Sequence, residues 1–126
     1  MVVRRKNVLI VDYNQNLINV LRLALDNEKI LLITTTCMDK AERMLRNVSF
    51  DLVVIGIRRK STRENEGFDM LAHIKRISQE TKVIIMTAYG SPESEKEAYD
   101  KGAFLYLNKP FDLRLLEEHL YKLGLY

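Results

Sequence analysis

The sequence predicts an α/β fold, a doubly wound parallel sheet of five strands with helices on both faces. Two observations carry this prediction. Five short runs, Val8–Val11, Ile30–Thr35, Val53–Ile57, Val83–Met86 and Phe104–Leu107, are nearly continuous in apolar and β-branched residues, as expected of strands buried on both faces. The segments between them instead repeat apolar residues every three or four positions, the period of an amphipathic helix. Strand and helix therefore alternate along the chain, and right-handed crossovers distribute the helices over the two faces of one sheet.

In order, the first strand runs from Asn7 to Val11 and ends at Asp12, which leaves a carboxylate at a strand tip. A helix begins at Asn14, with Asn14 or Asn16 as cap and Leu17, Val20, Leu21 and Ala24 inward; Asp26-Asn27-Glu28 closes it in a turn. The second strand, Ile30–Thr35, leads to a helix opened by Met38-Asp39 whose buried face is Ala41, Met44, Leu45 and Val48. The third strand is the central one, and Gly56 near its carboxyl end leaves that position without a side chain, a sign of a bulge or of close approach by another group. A polar loop from Arg58 to Glu66 precedes a helix expected after Gly67 with Met70, Leu71, Ile74 and Ile77 inward. The fourth strand, Val83–Met86, ends at Thr87. Ser91-Pro92-Glu93 then combines a capping serine, a proline at the first helical position and an acid in the first turn, and Gly102 ends that helix. After the fifth strand, Phe104–Leu107, Lys109-Pro110 forms a rigid corner and Asp112 caps a last helix with Leu113, Leu116 and Leu120 on one face.

Composition bounds the function. A chain of 126 residues with 47% hydrophobic and 29% charged content is expected to form one soluble domain, 1–126. Its net charge of +3 comes from 20 basic and 17 acidic residues interspersed along the chain, which argues against direct nucleic-acid contact. The clusters Arg4–Lys6 and Arg58–Lys60 read as solvated loop ends, although either can meet an acidic partner. The single cysteine, Cys37, excludes an internal disulfide and is expected to be a small buried residue. His73 and His119 read as solvated, with no ligand pattern around them, so no metal is expected. No apolar run reaches the ~18 residues needed to span a membrane and no signal-peptide core follows the amino terminus, so a cytoplasmic location is expected. The apolar ending Leu123-Gly124-Leu125-Tyr126 suits a fragment of a longer regulator as well as a free-standing protein.

In a doubly wound sheet, ligands bind at the carboxyl ends of the strands. Asp12, Gly56, Thr87 and Lys109 all occupy such ends and are expected to converge on one crevice. Val8-Leu9-Ile10-Val11-Asp12, Thr87-Ala88-Tyr89-Gly90, and Gly102-Ala103 with Tyr106 and Lys109-Pro110-Phe111-Asp112 together resemble the receiver domains of bacterial two-component response regulators. The resemblance covers nearly the whole chain, and its last block is most similar to receivers attached to transcriptional activators. It implies a flavodoxin-like (βα)5 sheet with strand order 2-1-3-4-5. It also implies a crevice in which an aspartate at the end of the third strand accepts a phosphoryl group beside Mg²⁺, the metal being held by that aspartate, an acidic pair after the first strand and a backbone carbonyl.

The chain departs from that pattern where the chemistry lies. Gly56 stands at the acceptor position, Tyr13 replaces the second acid of the pair, Arg59-Lys60 replace the usual methionine and proline, and the loop before Gly67 is longer. Glycine offers no nucleophile. Mg²⁺ is usually anchored by one or two carboxylates, and Asp12 alone remains, beside Lys109 and a basic loop. The sequence therefore reads as a pseudo-receiver: not an enzyme, without cofactor, its Asp12, Tyr13, Gly56, Thr87 and Lys109 a vestigial crevice in which Asp12 and Lys109 pair directly. Thr87 and Tyr106 resemble the pair that couples phosphorylation to the surface of the fourth helix, fifth strand and fifth helix. Tyr106, Tyr99 and Phe111 would then mark the surface that meets a protein partner, an attached output domain or a second copy of the chain. Two other readings are an anion or metabolite sensor built on Thr87, Lys109 and Arg58 or Arg59, and phosphorylation of a substitute such as Asp69 or Glu66, which would lack the pocket geometry.

Overall fold

The computed structural model describes residues 5–57 and 64–125, so the basic cluster Arg58–Lys60, like Arg4, lies outside the described residues. In chain order the elements are β1 (Lys6–Val11), α1 (Gln15–Leu25), β2 (Ile30–Thr35), α2 (Met38–Asn47), β3 (Leu52–Ile57), α3 (Glu64–Ile77), β4 (Lys82–Thr87), α4 (Pro92–Asp100), β5 (Leu105–Asn108) and α5 (Leu113–Lys122). The strands form one sheet in the order β2-β1-β3-β4-β5 with every pairing parallel, the expected doubly wound arrangement.

Side chains alternate across a strand, and this parity sorts the core into two layers. Val8, Ile10, Leu52 and Val54 point toward α1 and α5, where they meet Ile18, Leu21, Leu116 and Leu120. Leu9, Val11, Val53, Ile55 and Ile57 point the other way, against Ala41, Leu71, Ile74 and Ala98 of α2, α3 and α4. All six residues of β3 are buried, as a central strand covered on both faces requires.

The helix starts follow the capping signals: the Asn14 side chain accepts from the N–H groups of Asn16 and Leu17, Ser91 from that of Ser94, and Asp112 from that of Arg114. Gly102 adopts φ 103° just past α4, a conformation that favours glycine.

Several details differ from the sequence expectation. The inward face of α1 is Ile18, Leu21 and Leu25, while Val20 is 45% exposed. α3 begins at Glu64 rather than after Gly67, and its last residue, Ile77, is exposed. Gly67 lies inside that helix because a β-carbon there would come within 2.8 Å of Ile57 Cγ1, so the glycine serves close packing on β3 rather than a boundary. β5 is shifted by one residue, to Leu105–Asn108. Cys37 is half-buried at the amino-terminal cap of α2, and His119 is half-buried with its ring edge-on to Phe104.

Candidate functional site

Asp12 and Gly56 are brought together by strand parity. Val11 pairs with Ile55, so residues 12 and 56 are the next step on adjacent strands and share the face that Val8, Ile10, Leu52 and Val54 occupy. Because position 56 carries no side chain, the Asp12 carboxylate moves into that space: a β-carbon at Gly56 would overlap Asp12 Oδ2 and lie 2.5 Å from its Cγ. The carboxylate is 1% exposed and fully engaged. Its Oδ1 accepts from the Asn14 N–H at 2.9 Å, and its Oδ2 accepts from Lys109 Nζ at 2.7 Å. This is the direct pair expected between Asp12 and Lys109, with side-chain exposures of 0% and 20%.

The other strand tips close around the pair. The Tyr13 hydroxyl donates to the Gly56 carbonyl at 3.2 Å. Thr87 is buried; its hydroxyl accepts from the Tyr89 N–H at 3.1 Å, and its carbonyl accepts from the Lys109 N–H at 2.7 Å. The segment after β5 is thus pinned to β4 through its backbone and to β1 through the lysine side chain. All five crevice residues predicted from sequence meet here.

At Gly56, the position of β3 that faces the crevice, this arrangement has no side chain to act as a nucleophile. It also does not fit Mg²⁺, which demands near-octahedral oxygen ligation from groups free to bind it. Asp12 spends both oxygens on donors, one of them a cation. Among the described residues, no three His, Cys, Asp or Glu side chains are placed to hold a metal, and no buried side-chain nitrogen or oxygen lacks a partner.

A second polar cluster lies where α4 packs on β5. Tyr106 is 5% exposed, and its hydroxyl donates to Ser94 Oγ at 3.0 Å. Its N–H, on the open edge of β5, donates to the Tyr99 hydroxyl at 3.1 Å. Gly90 admits this arrangement, because a β-carbon there would overlap Asn108 Oδ1 and lie 2.8 Å from the Tyr106 hydroxyl. Tyr99 remains 44% exposed and Tyr89 54%. Phe111, by contrast, is half-buried against the core layer under α1 and α5. Sequence reasoning missed Ser94; its signal was its place in the first turn after Ser91-Pro92, facing the strand that carries Tyr106.

Neither alternative acceptor is bonded to the crevice pair, whose partners are Asn14 and each other. Asp69 lines a cleft between α2 and α3 with Arg46, His73 and Arg76. Glu66 lines a cleft of about 350 Å³ with Cys37, Asp39 and Tyr13 of the crevice.

Residues 8–121 match the family model of the response regulator receiver domain. The chain is 31% identical over 114 residues to the response regulator protein PilR of Pseudomonas aeruginosa, covering 90% of this chain and 25% of that protein. It is 31% identical over 106 residues to the transcriptional regulatory protein GlrR of Escherichia coli, covering 84% of this chain and 23% of that protein. The chain therefore spans about a quarter of the length of these curated relatives. Among solved structures, a CheY-like response regulator receiver domain protein from Methanospirillum hungatei superposes with a TM-score of 0.81 at 25% identity, covering 95% of this chain and 94% of that one. A signal receiver domain of an HD domain-containing protein from Pseudomonas fluorescens has the same fold, with a TM-score of 0.83 at 24% identity and coverage of 96% and 95%.

Proposed function

The chain belongs to the response regulator receiver domain family, and from that premise we propose that it is a pseudo-receiver: a non-catalytic module of a two-component system that signals by protein contact, without phosphorylation. The observation that carries this reading is the Asp12 carboxylate filling the space of the absent side chain at position 56 while bonded to Lys109. In a receiver that works by phosphorylation, the lysine and the first acid serve an incoming phosphoryl group and a metal; here they serve each other. Information must then enter or leave through a surface. Tyr99 near the end of α4, with Tyr106 behind it, and Tyr89 ahead of that helix present exposed aromatic area, Tyr99 being joined to the strand edge by a hydrogen bond, the kind of surface that docks proteins. The contact surface assigned to this function is therefore α4, β5 and the adjoining side of α5, toward an attached output domain or a separate protein. The module is taken as one domain, 1–126, acting in the cytoplasm.

The anion-sensor reading finds no comparable support. Its cation, Lys109, already faces a buried carboxylate, and the Thr87 hydroxyl already accepts a backbone N–H. The test of the proposal is exposure to acetyl phosphate, or to beryllofluoride, with Mg²⁺, followed by intact mass and backbone NMR. Neither covalent nor tight adduct is expected; a gain of one phosphoryl group mapping to the crevice would refute the proposal.

A further inference from the structure

The five-stranded sheet has two edges, β2 and β5, and they end differently. β5 is four residues long, and the outward N–H of Tyr106 is taken by the Tyr99 hydroxyl. β2 is six residues long and stays open. The Lys6 N–H donates to the Lys29 carbonyl and the Asp12 N–H to that of Thr35, so the odd-numbered residues of β2 turn their backbone groups toward β1. Leu32 and Thr34 therefore turn theirs away from the sheet, and among the described residues nothing bonds to those backbone groups.

Edge strands are commonly shielded by brevity, charge, proline or a bulge. β2 has none of these: it reads Ile-Leu-Leu-Ile-Thr-Thr, and its pairing with β1 runs in unbroken register. The flanking helices leave it open as well. Leu31 is 45% exposed and Leu32, Ile33, Thr34 and Thr35 are half-buried, whereas every residue of β3 is buried. An edge of this kind is answered by another strand, whose extended backbone presents N–H and C=O groups at the same repeat.

The side chains say which strand. Leu31 and Ile33 share the α2 side and leave apolar area beside the edge. On the α1 side stands Arg22, whose guanidinium donates to Thr34 Oγ1 and which makes no ion pair among the described residues. An added strand with apolar residues on one face and acidic residues on the other meets both. We propose that the outer edge of β2 is a docking site for an extended segment of a partner protein in which apolar and acidic residues alternate. This edge lies across the sheet from the α4–β5 surface, and its use does not depend on the pseudo-receiver reading.

Backbone NMR of the 126-residue chain with a blocked synthetic peptide of alternating valine and glutamate tests this. The peptide should shift the Leu32 and Thr34 N–H resonances and slow their exchange with solvent, which is fast at an open edge. A peptide of alternating valine and lysine should bind about tenfold or more weakly, and Arg22→Glu should reverse that order. Leu32→Pro removes an outward donor and no bond to β1, so it should abolish binding with circular dichroism unchanged. No shift at β2 with either peptide overturns the proposal. So does equal binding of the two peptides, or a response at Tyr99 and Tyr106 in place of β2. Self-association of the free chain that Leu32→Pro abolishes overturns it too, by giving the edge to a second copy.

Discussion

The crevice at the carboxyl ends of β1 and β3 and the cluster that joins β4, α4 and β5 both adjoin Thr87, yet they differ in how closed they are. In the first, the side chains have closed on one another: Asp12 fills the empty place at Gly56, Lys109 neutralises it, and Tyr13 caps the carbonyl between them. In the second, Thr87 and Tyr106 keep the types that the family uses for its relay, held by Tyr89, Ser94 and Tyr99, with aromatic surface still offered to solvent. On the pseudo-receiver reading, a site relieved of its chemistry is free to become core, whereas a docking surface must keep its exposed groups. That reading places constraint on the β4–β5 side and stability on the β1–β3 side.

The largest expected effect follows from removing Lys109. Lys109→Ala leaves the Asp12 carboxylate buried with only the Asn14 N–H to answer it, and losing one partner of a buried pair costs about 3 kcal/mol or more. Denaturant unfolding measures it. A loss under ~1 kcal/mol, the range of exposed pairs, would mean that Asp12 escapes to water and that the crevice is not core.

Gly56→Asp comes next. Its β-carbon must displace the Asp12 carboxylate, and its own carboxylate then confronts that of Asp12, so a cost of about 1–3 kcal/mol is expected from overpacking alone. Robust phosphorylation is not expected, because Tyr13 still withholds a second acid and Lys109 is still claimed by Asp12. Adding Tyr13→Asp should be the least change that permits it. If the single substitution accepts phosphate from acetyl phosphate at the rate of an ordinary receiver, the closed crevice is a soft obstacle and the contrast between the two regions narrows.

How much of this was legible in the sequence differs by level. The sheet was, because runs such as Val53–Ile57 are buried on both faces and carry no competing pattern. The face of α1 was not: apolar residues at 17, 18, 20, 21, 23, 24 and 25 make two overlapping stripes, and periodicity cannot say which one meets the sheet. The leftover stripe is the exposed Val20 and Leu23. Gly67 was read as a boundary because glycine usually marks one, while its reason is the Ile57 side chain, a contact between elements. The Asp12–Lys109 pair followed from the positions of strand ends. The Tyr13 hydroxyl on the Gly56 carbonyl did not, since a tyrosine in place of an acid announces a loss and not a new bond.

On the β4–β5 side, Tyr106→Phe removes a hydroxyl bonded to Ser94 and leaves Ser94 half-exposed enough to find water. The loss should be about 1 kcal/mol, the net worth of an ordinary hydrogen bond, read from the shift of the urea midpoint. A much larger loss would show that the relay side carries the fold and is not merely a surface kept for docking.

The smallest expected quantity is the coupling between the two regions, and it is the most informative. Both touch Thr87: Lys109 through its N–H to the Thr87 carbonyl, and the α4 side through the Tyr89 N–H to the Thr87 hydroxyl. In a phosphorylated receiver that threonine moves with the phosphoryl group and carries the change to the aromatic on β5. On the pseudo-receiver reading nothing arrives at the crevice to move it, and its carbonyl and hydroxyl both have partners. A double-mutant cycle of Lys109→Ala and Tyr106→Phe should therefore give a coupling within ~0.5 kcal/mol of zero, as for independent sites. Coupling well above 1 kcal/mol would mean that the closed crevice still sets the state of Tyr106. The Asp12–Lys109 pair would then act as a permanent substitute for the phosphoryl signal instead of a replacement for lost core.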